Sequence, residues 1–194
     1  MSLLIKGNVK VGNEVFLFNL PPRLTCTPTK WCLEGRKGKP MCYALRNNFR
    51  LPSVIKSLKK RYNATKQKGF VAKMVLEIQK AAPEYFRFHS SGDFYSMKYV
   101  EKIIEIVREC PETLFRTTTR RRDLTRTIRE LNSLPNCIVR ESLDDERPQP
   151  KMGLNFVIPA RLCKNKNVFF CEDDCEECNY YCWEHRVNTK GREL

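Results

Sequence analysis

Apolar and polar positions change period several times along this chain of 194 residues, and the changes mark its elements. Residues 5–19, IKGNVKVGNEVFLFN, alternate in places and carry Gly12-Asn13, which predicts a hairpin turning there with a buried second strand over 15–19. Residues 52–68 read as a basic helix, with Pro52 in its first turn and Gly69 as its stop. Val71, Met74, Val75 and Ile78 then keep helical spacing as far as Ala82, and Pro83 ends that helix. A strand is expected over 85–89, followed by a helix over 97–109 whose Val100, Ile103, Ile104 and Val107 form one stripe. After a strand over 114–118, Asp123 is placed to cap a helix carrying Leu124, Ile128 and Leu131. Residues 137–142 and 154–158 are strand-like.

Strand and helix thus alternate at intervals of roughly 25–30 residues, the pattern of repeated βαβ units around a parallel sheet. The expected class is α/β, a partial (β/α) barrel with parallel strands, since about five or six strands are too few for a full barrel. It would occupy residues 1–158, with a cysteine loop at 26–42, and be followed by a cysteine-rich metal-binding appendage over 159–194. Parallel folds place their chemistry at the C-terminal ends of the strands. His89, Ser90, Ser91, Gly92, Asp93, Arg120, Arg121, Glu141, Ser142 and Asp144 should therefore meet on one rim. His89 and Asp93 are the catalytic candidates there. Their plainer roles are a satisfied core histidine and a cap for the following helix. Tyr43, Ser91, Gly92, Arg120 and Glu141 are candidates for holding a cofactor or substrate, and 117–122 (TTTRRR) for gripping a phosphate or carboxylate. Residues 144–150 read as an exposed, proline-rich connection.

The N-terminal MSLLIKGNVK lacks the apolar core of a signal peptide and no run is long enough to span a membrane, so a cytoplasmic protein with no membrane partner is expected. In a reducing compartment cysteines are more often metal ligands or catalysts than disulfides, which changes the meaning of the ten present here. Cys26, Cys32 and Cys42 share a Pro/Gly/Lys-rich loop whose last cysteine opens a short helix at Cys42-Tyr-Ala-Leu-Arg. Three thiolates leave one coordination position open: a [4Fe-4S] cluster could offer it to substrate or S-adenosylmethionine, zinc to water or histidine. The spacing C-x5-C-x9-C matches no common zinc finger and departs from the C-x3-C-x2-C loop of radical S-adenosylmethionine enzymes. A second group comprises Cys163 and then Cys171-x3-Cys175-x2-Cys178-x3-Cys182, suited to a structural zinc or a second iron–sulfur cluster. Glu172, Asp173, Asp174, Glu176 and Glu177 surround it and make it a poor contact for nucleic acid. Cys110 and Cys137 are assigned to packing.

The net charge of +14 resides in the first 80 residues, which hold 17 Lys/Arg against 3 Glu. Such a field attracts polyanions, so a nucleic acid or an anionic small molecule is the expected partner, a solvated basic face being the plainer reading. Tyr43, Trp31 and Phe49 would stack on bases or cover the metal loop. The leading expectation is an iron–sulfur enzyme that modifies a nucleic acid base or nucleotide, with an electron donor as a further partner. The alternatives are a zinc-stapled nucleic-acid-binding protein without catalysis, and a non-redox, base-transferring barrel with Asp93 as acid/base or nucleophile.

The order FNLPP…TC…WC…MCYALRNNFRLP, then FRFHSSGDFYSMKYVEKIIEIV, then a terminal C…C-x2-C-x3-CW, resembles the phage-encoded gene product eighty-eight family. It is more distantly similar to phage proteins related to radical S-adenosylmethionine enzymes. The resemblance implies that Cys26, Cys32 and Cys42 ligate the first metal and that Cys163, Cys175, Cys178 and Cys182 match the C-terminal set. Cys171 would be an extra, and residues 33–41 an insertion.

Overall fold

The computed structural model describes residues 2–8, 10–35, 38–172 and 174–191. The N-terminal hairpin forms from β1 (Ile5–Asn8) and β2 (Gly12–Phe18), so Gly12-Asn13 opens the second strand and the turn falls earlier than expected. The pairing slips between Lys6 and Asn8, where Gly7 lies so close to the backbone oxygens of Gly12 and Val15 that a Cβ would overlap them. Then come α1 (Lys30–Glu34), 3-10 turns at Tyr43–Leu45 and Asn47–Arg50, and α2 (Pro52–Thr65). They are followed by α3 (Phe70–Ala81), β3 (Tyr85–Phe88), α4 (Met97–Glu109), β4 (Leu114–Thr119) and α5 (Thr125–Ser133). The last elements are β5 (Cys137–Ser142), β6 (Phe156–Pro159), β7 (Phe169–Cys171), α6 (Tyr181–Glu184) and β8 (Thr189–Gly191).

All eight strands join one open sheet in the order β1-β2-β3-β4-β5-β6-β8-β7, parallel throughout except for the β1–β2 hairpin. From β2 to β6 spatial order follows chain order. Alternation along each strand splits the side chains between two faces. One face carries Phe18, Phe86, Phe88, Phe115 and Val139 into a core with Met74 and Ile78 of α3, Val100, Ile103 and Val107 of α4, and Ile128 and Leu131 of α5. Each such buried side chain contributes about 1.5–3 kcal/mol, so this helical layer supplies most of the apolar stabilisation. Cys110 and Cys137 belong to it.

Val15, Leu17 and Tyr85 point to the other face, where Cys175, Tyr180, Cys182 and Trp183 cover them. Tyr85 stacks on Tyr180 with ring centroids 4.2 Å apart, and its hydroxyl donates to Glu184. The region expected to be an appendage therefore lies on the sheet, and β8 enters that sheet between β6 and β7. No helix among the described residues is long and apolar enough to cross a membrane.

Candidate functional site

The chain leaves β2 through Asn19 and Leu20 and crosses the C-terminal ends of β3, β4 and β5 before α2 begins. Thr29 caps α1, its Oγ1 accepting from the Cys32 N–H at 3.3 Å, while Gly35, with φ 55°, ends the helix. This short helix was not expected from the sequence, and it fixes Cys32 on a buried turn. Cys42 precedes the 3-10 turn Tyr43–Leu45 where an α-helical start was expected, and its N–H returns to the Cys32 carbonyl at 3.3 Å. Cys26, Cys32 and Cys42 consequently line one cavity of about 120 Å³, together with Trp31, Tyr43, Arg87, His89, Ser90, Ser91, Gly92, Asp93, Thr118, Arg120 and Ser142.

Three of these residues maintain the rim. Gly92, with φ 86°, approaches Leu20 so closely that a Cβ would stand 2.6 Å from its Cβ and 2.7 Å from Thr25 Oγ1. Ser91 Oγ donates to the Leu20 carbonyl at 2.9 Å. The Asp93 carboxylate accepts from the Phe94 N–H at 2.7 Å, Thr119 Oγ1 at 2.7 Å and the Arg120 N–H at 3.0 Å, clamping the exit of β3 to that of β4. Ser96, not Asp93, caps α4. Burial raises the Asp93 carboxyl above its ordinary range, and these hydrogen bonds oppose the shift.

His89 is buried, with φ 59°, and its Nε2 meets Tyr99 Oη at 2.9 Å. Its Nδ1 has no hydrogen-bond partner among the described residues, and burial, with Arg87 nearby, pushes its pKa down to about 3, so the ring is neutral at ordinary pH. Glu141 does not reach the cavity. It points to the helical side, where it accepts from Arg122 Nε at 2.6 Å and from the Lys151 and Met152 N–H groups at 2.8 Å.

The β5–β6 connection, expected to be wholly exposed, begins with buried Asp144. Its carboxylate accepts from Thr29 Oγ1 at 2.9 Å and from the Glu146 and Arg147 N–H groups, and Arg120 Nε lies 3.3 Å away. Burial pushes the Cys26 thiol up to about 12, with Asp93 adding to the effect, and burial also raises Cys42. Arg120 acts in the opposite sense on both. A bound cation would reverse these shifts by holding the sulfurs as thiolates. Among the described residues no three His, Cys, Asp or Glu side chains form a group that could hold a metal ion as they stand. The three cysteines line the same cavity, and their chemistry as donors suits zinc or an iron–sulfur cluster. Two buried polar atoms without a hydrogen-bond partner among the described residues, Ser90 Oγ and Trp31 Nε1, belong to residues of the same wall.

The second cysteine group is divided. Cys175 and Cys178 lie on one turn, where the Tyr180 N–H donates to the Cys175 carbonyl and the Tyr181 N–H to that of Cys178. Cys182 follows in α6 and Cys171 ends β7. Cys163 follows the 3-10 turn Ala160–Leu162, with its Sγ 3.6 Å from the Asn165 carbonyl. Asp173, expected among the acidic residues here, lies outside the described residues.

Sequence reasoning passed over three arginines. Arg87, Arg116 and Arg140 stand on β3, β4 and β5 on the face away from the helices; Arg87 and Arg116 are in register, and Arg140 pairs with Thr118. The signal was present in the strands, as Phe-Arg-Phe, Phe-Arg-Thr and Val-Arg-Glu place a cation between core residues three times.

Residues 2–187 match the family model described as Gene product 88. The chain belongs to the Gene product 88 family. The Gene product 88 match takes in both cysteine groups and every strand but β8. No curated protein and no solved structure matches the chain.

Proposed function

We propose that this protein is an iron–sulfur enzyme of radical S-adenosylmethionine-like type that modifies a nucleic acid base or nucleotide, with its cluster on Cys26, Cys32 and Cys42. One observation carries the reading: the three cysteines line a single cavity at the C-terminal ends of successive parallel strands. The in-order winding from β2 to β6 is also the connectivity of a (β/α) barrel, which supports a partial barrel as the architecture. When bound, the cluster would supply one-electron chemistry and an open iron position.

The protein's own residues would bind and orient. Arg87 and Arg120 set a positive field suited to a carboxylate or phosphate. Tyr43 and Trp31 give aromatic walls, and Ser90 offers a hydroxyl with no other partner. The cavity is smaller than the roughly 300 Å³ at which small-molecule sites begin. It suits a compact inorganic group, and the organic ligands would lie across its mouth. In this reading Asp93, with three donors already on its carboxylate, and neutral His89 hold the rim in position.

A zinc-stapled nucleic-acid-binding protein is the second reading, favoured by α2. That helix has no acidic residue, and its exposed Lys56, Lys59 and Lys60 have no ion pair among the described residues. The two readings separate on protein purified without oxygen, by visible spectrum and iron, sulfide and zinc content. A brown protein with acid-labile sulfide that loses its colour in Cys42→Ala supports the enzyme. A colourless protein holding zinc alone overturns it.

A further inference from the structure

A buried polar group without a partner costs free energy, so several on one wall mark a place where something else binds. The first cavity has such a wall. Ser90 Oγ, Trp31 Nε1 and His89 Nδ1 are buried without a hydrogen-bond partner among the described residues, and all three residues line the cavity. Arg87, half-buried on the same wall, has neither a side-chain hydrogen bond nor an ion pair among the described residues. Arg120 and Asp93, in contrast, are engaged: Arg120 Nε lies 3.3 Å from Asp144 Oδ2, and the Asp93 carboxylate already accepts from Phe94, Thr119 and Arg120.

The free groups share one property, which is that they donate. An indole N–H and a guanidinium offer no acceptor, and a serine hydroxyl can donate. His89 is decided by its neighbour. Tyr99 is buried and is not a wall residue, and its hydroxyl meets His89 Nε2 at 2.9 Å with no other partner among the described residues. If Nε2 carried the ring hydrogen, the Tyr99 hydroxyl hydrogen would be left without an acceptor beside the rings of Phe70, Phe94 and Tyr95. When Tyr99 donates to Nε2, the ring hydrogen sits on Nδ1, and the one unmatched donor belongs to a wall residue instead. His89 also holds φ 59°, a strained conformation of the kind that gathers at ligand sites.

We propose that this wall is an oxyanion site, in which Arg87 supplies the positive charge and Ser90 Oγ, Trp31 Nε1 and His89 Nδ1 supply neutral hydrogen bonds to one carboxylate or phosphate group of the ligand. The proposal rests on the reading above only in taking this cavity as the place where ligand binds, and it holds whichever metal the cysteines carry. It gives His89 a binding role distinct from proton transfer, because Tyr99 occupies Nε2 and the ligand meets a hydrogen already in place on Nδ1. A cationic group is rejected by the same wall, since it brings no acceptor to four donors.

The test is calorimetric titration of the full chain, purified without oxygen, with inorganic phosphate and with acetate, two arms that separate a tetrahedral from a planar oxyanion. One of them should bind with a Kd of about 1 mM or tighter. Arg87→Gln should weaken that binding about tenfold or more, with metal content and circular dichroism unchanged, and Arg87→Lys should restore part of it. Ser90→Ala should weaken it less, as a neutral hydrogen bond is the weaker contact. Changing Lys56, Lys59 and Lys60 together to Gln should leave it intact, which separates the cavity from the basic surface of α2. The tautomer is read by nitrogen-15 resonance of the two histidines, His89 and His185, with His89→Gln as the assignment: Nδ1 should be protonated and Nε2 bare. An Nε2–H tautomer overturns the donor role of His89. Binding of neither anion below about 10 mM, or binding that survives Arg87→Gln and fails in the lysine variant, overturns the site. A colourless chain that still binds the anion through Arg87 overturns the iron–sulfur reading alone, and a brown chain blind to both anions overturns this site alone.

Discussion

Thr29 Oγ1 donates to Asp144 Oδ2 at 2.9 Å across 115 residues of chain, joining the helix that carries Cys32 to the exit of β5. The same threonine caps α1 and the same carboxylate organises the turn after β5, so the placement of the first cysteine site depends on this contact.

Replacing Asp144 with Ala leaves the Thr29 hydroxyl and the Glu146 N–H without their acceptor, the Arg147 N–H with only the residue 144 carbonyl, and Arg120 without its counter-charge. A loss of about 3 kcal/mol or more is expected. The midpoint of urea unfolding measures it, and Asp144→Asn should recover part.

Gly92→Ala sets a Cβ against Leu20 and Thr25 in a backbone conformation that L residues rarely adopt. The expected cost is at least about 1–3 kcal/mol, read as a lower melting temperature. A variant as stable as the wild type would mean that the β2 exit can shift away.

His89 gives the fold an acid sensitivity of definite sign. Its pKa falls from the ordinary 6.5 to about 3 on folding, so between those values the unfolded chain binds the extra proton. Its contribution to stability is whole above pH 6.5 and is lost as pH falls towards 3. Asp93, raised by burial, works in the opposite sense. The His89 share is therefore the difference in pH dependence between wild type and His89→Gln, and the variant should show a shallower loss on acidification.

Lys56, Lys59 and Lys60 offer a test of polyanion binding that leaves the cavity untouched. Changing all three to Gln should weaken binding of a single-stranded oligonucleotide and flatten its dependence on salt by about 0.7 in log–log slope for each phosphate contact removed. An unchanged slope would place the binding elsewhere.

The bounds of α4 and β5 are those the sequence announces, because an unbroken apolar stripe and a short β-branched run fix them locally. Where an element depends on a distant partner, the sequence misleads. Asp123 was expected to cap a helix, but Arg121 takes its carboxylate at 2.9 and 2.7 Å, and α5 starts without a side-chain cap. Helix α1 owes its position to Asp144, and so could not be read from its own five residues. Cysteine spacing pointed to two groups.

Strand β8 lies between β6 and β7, so β7 has no neighbour in the sheet until residues beyond 188 exist. A growing polypeptide must add the 20 residues 172–191 after Cys171 before that cysteine can pair with Gly191. At roughly 5–20 residues per second this takes about one to four seconds. Although β7 precedes β8 in the chain, it is joined to the sheet only through β8, so its attachment waits on the last strand.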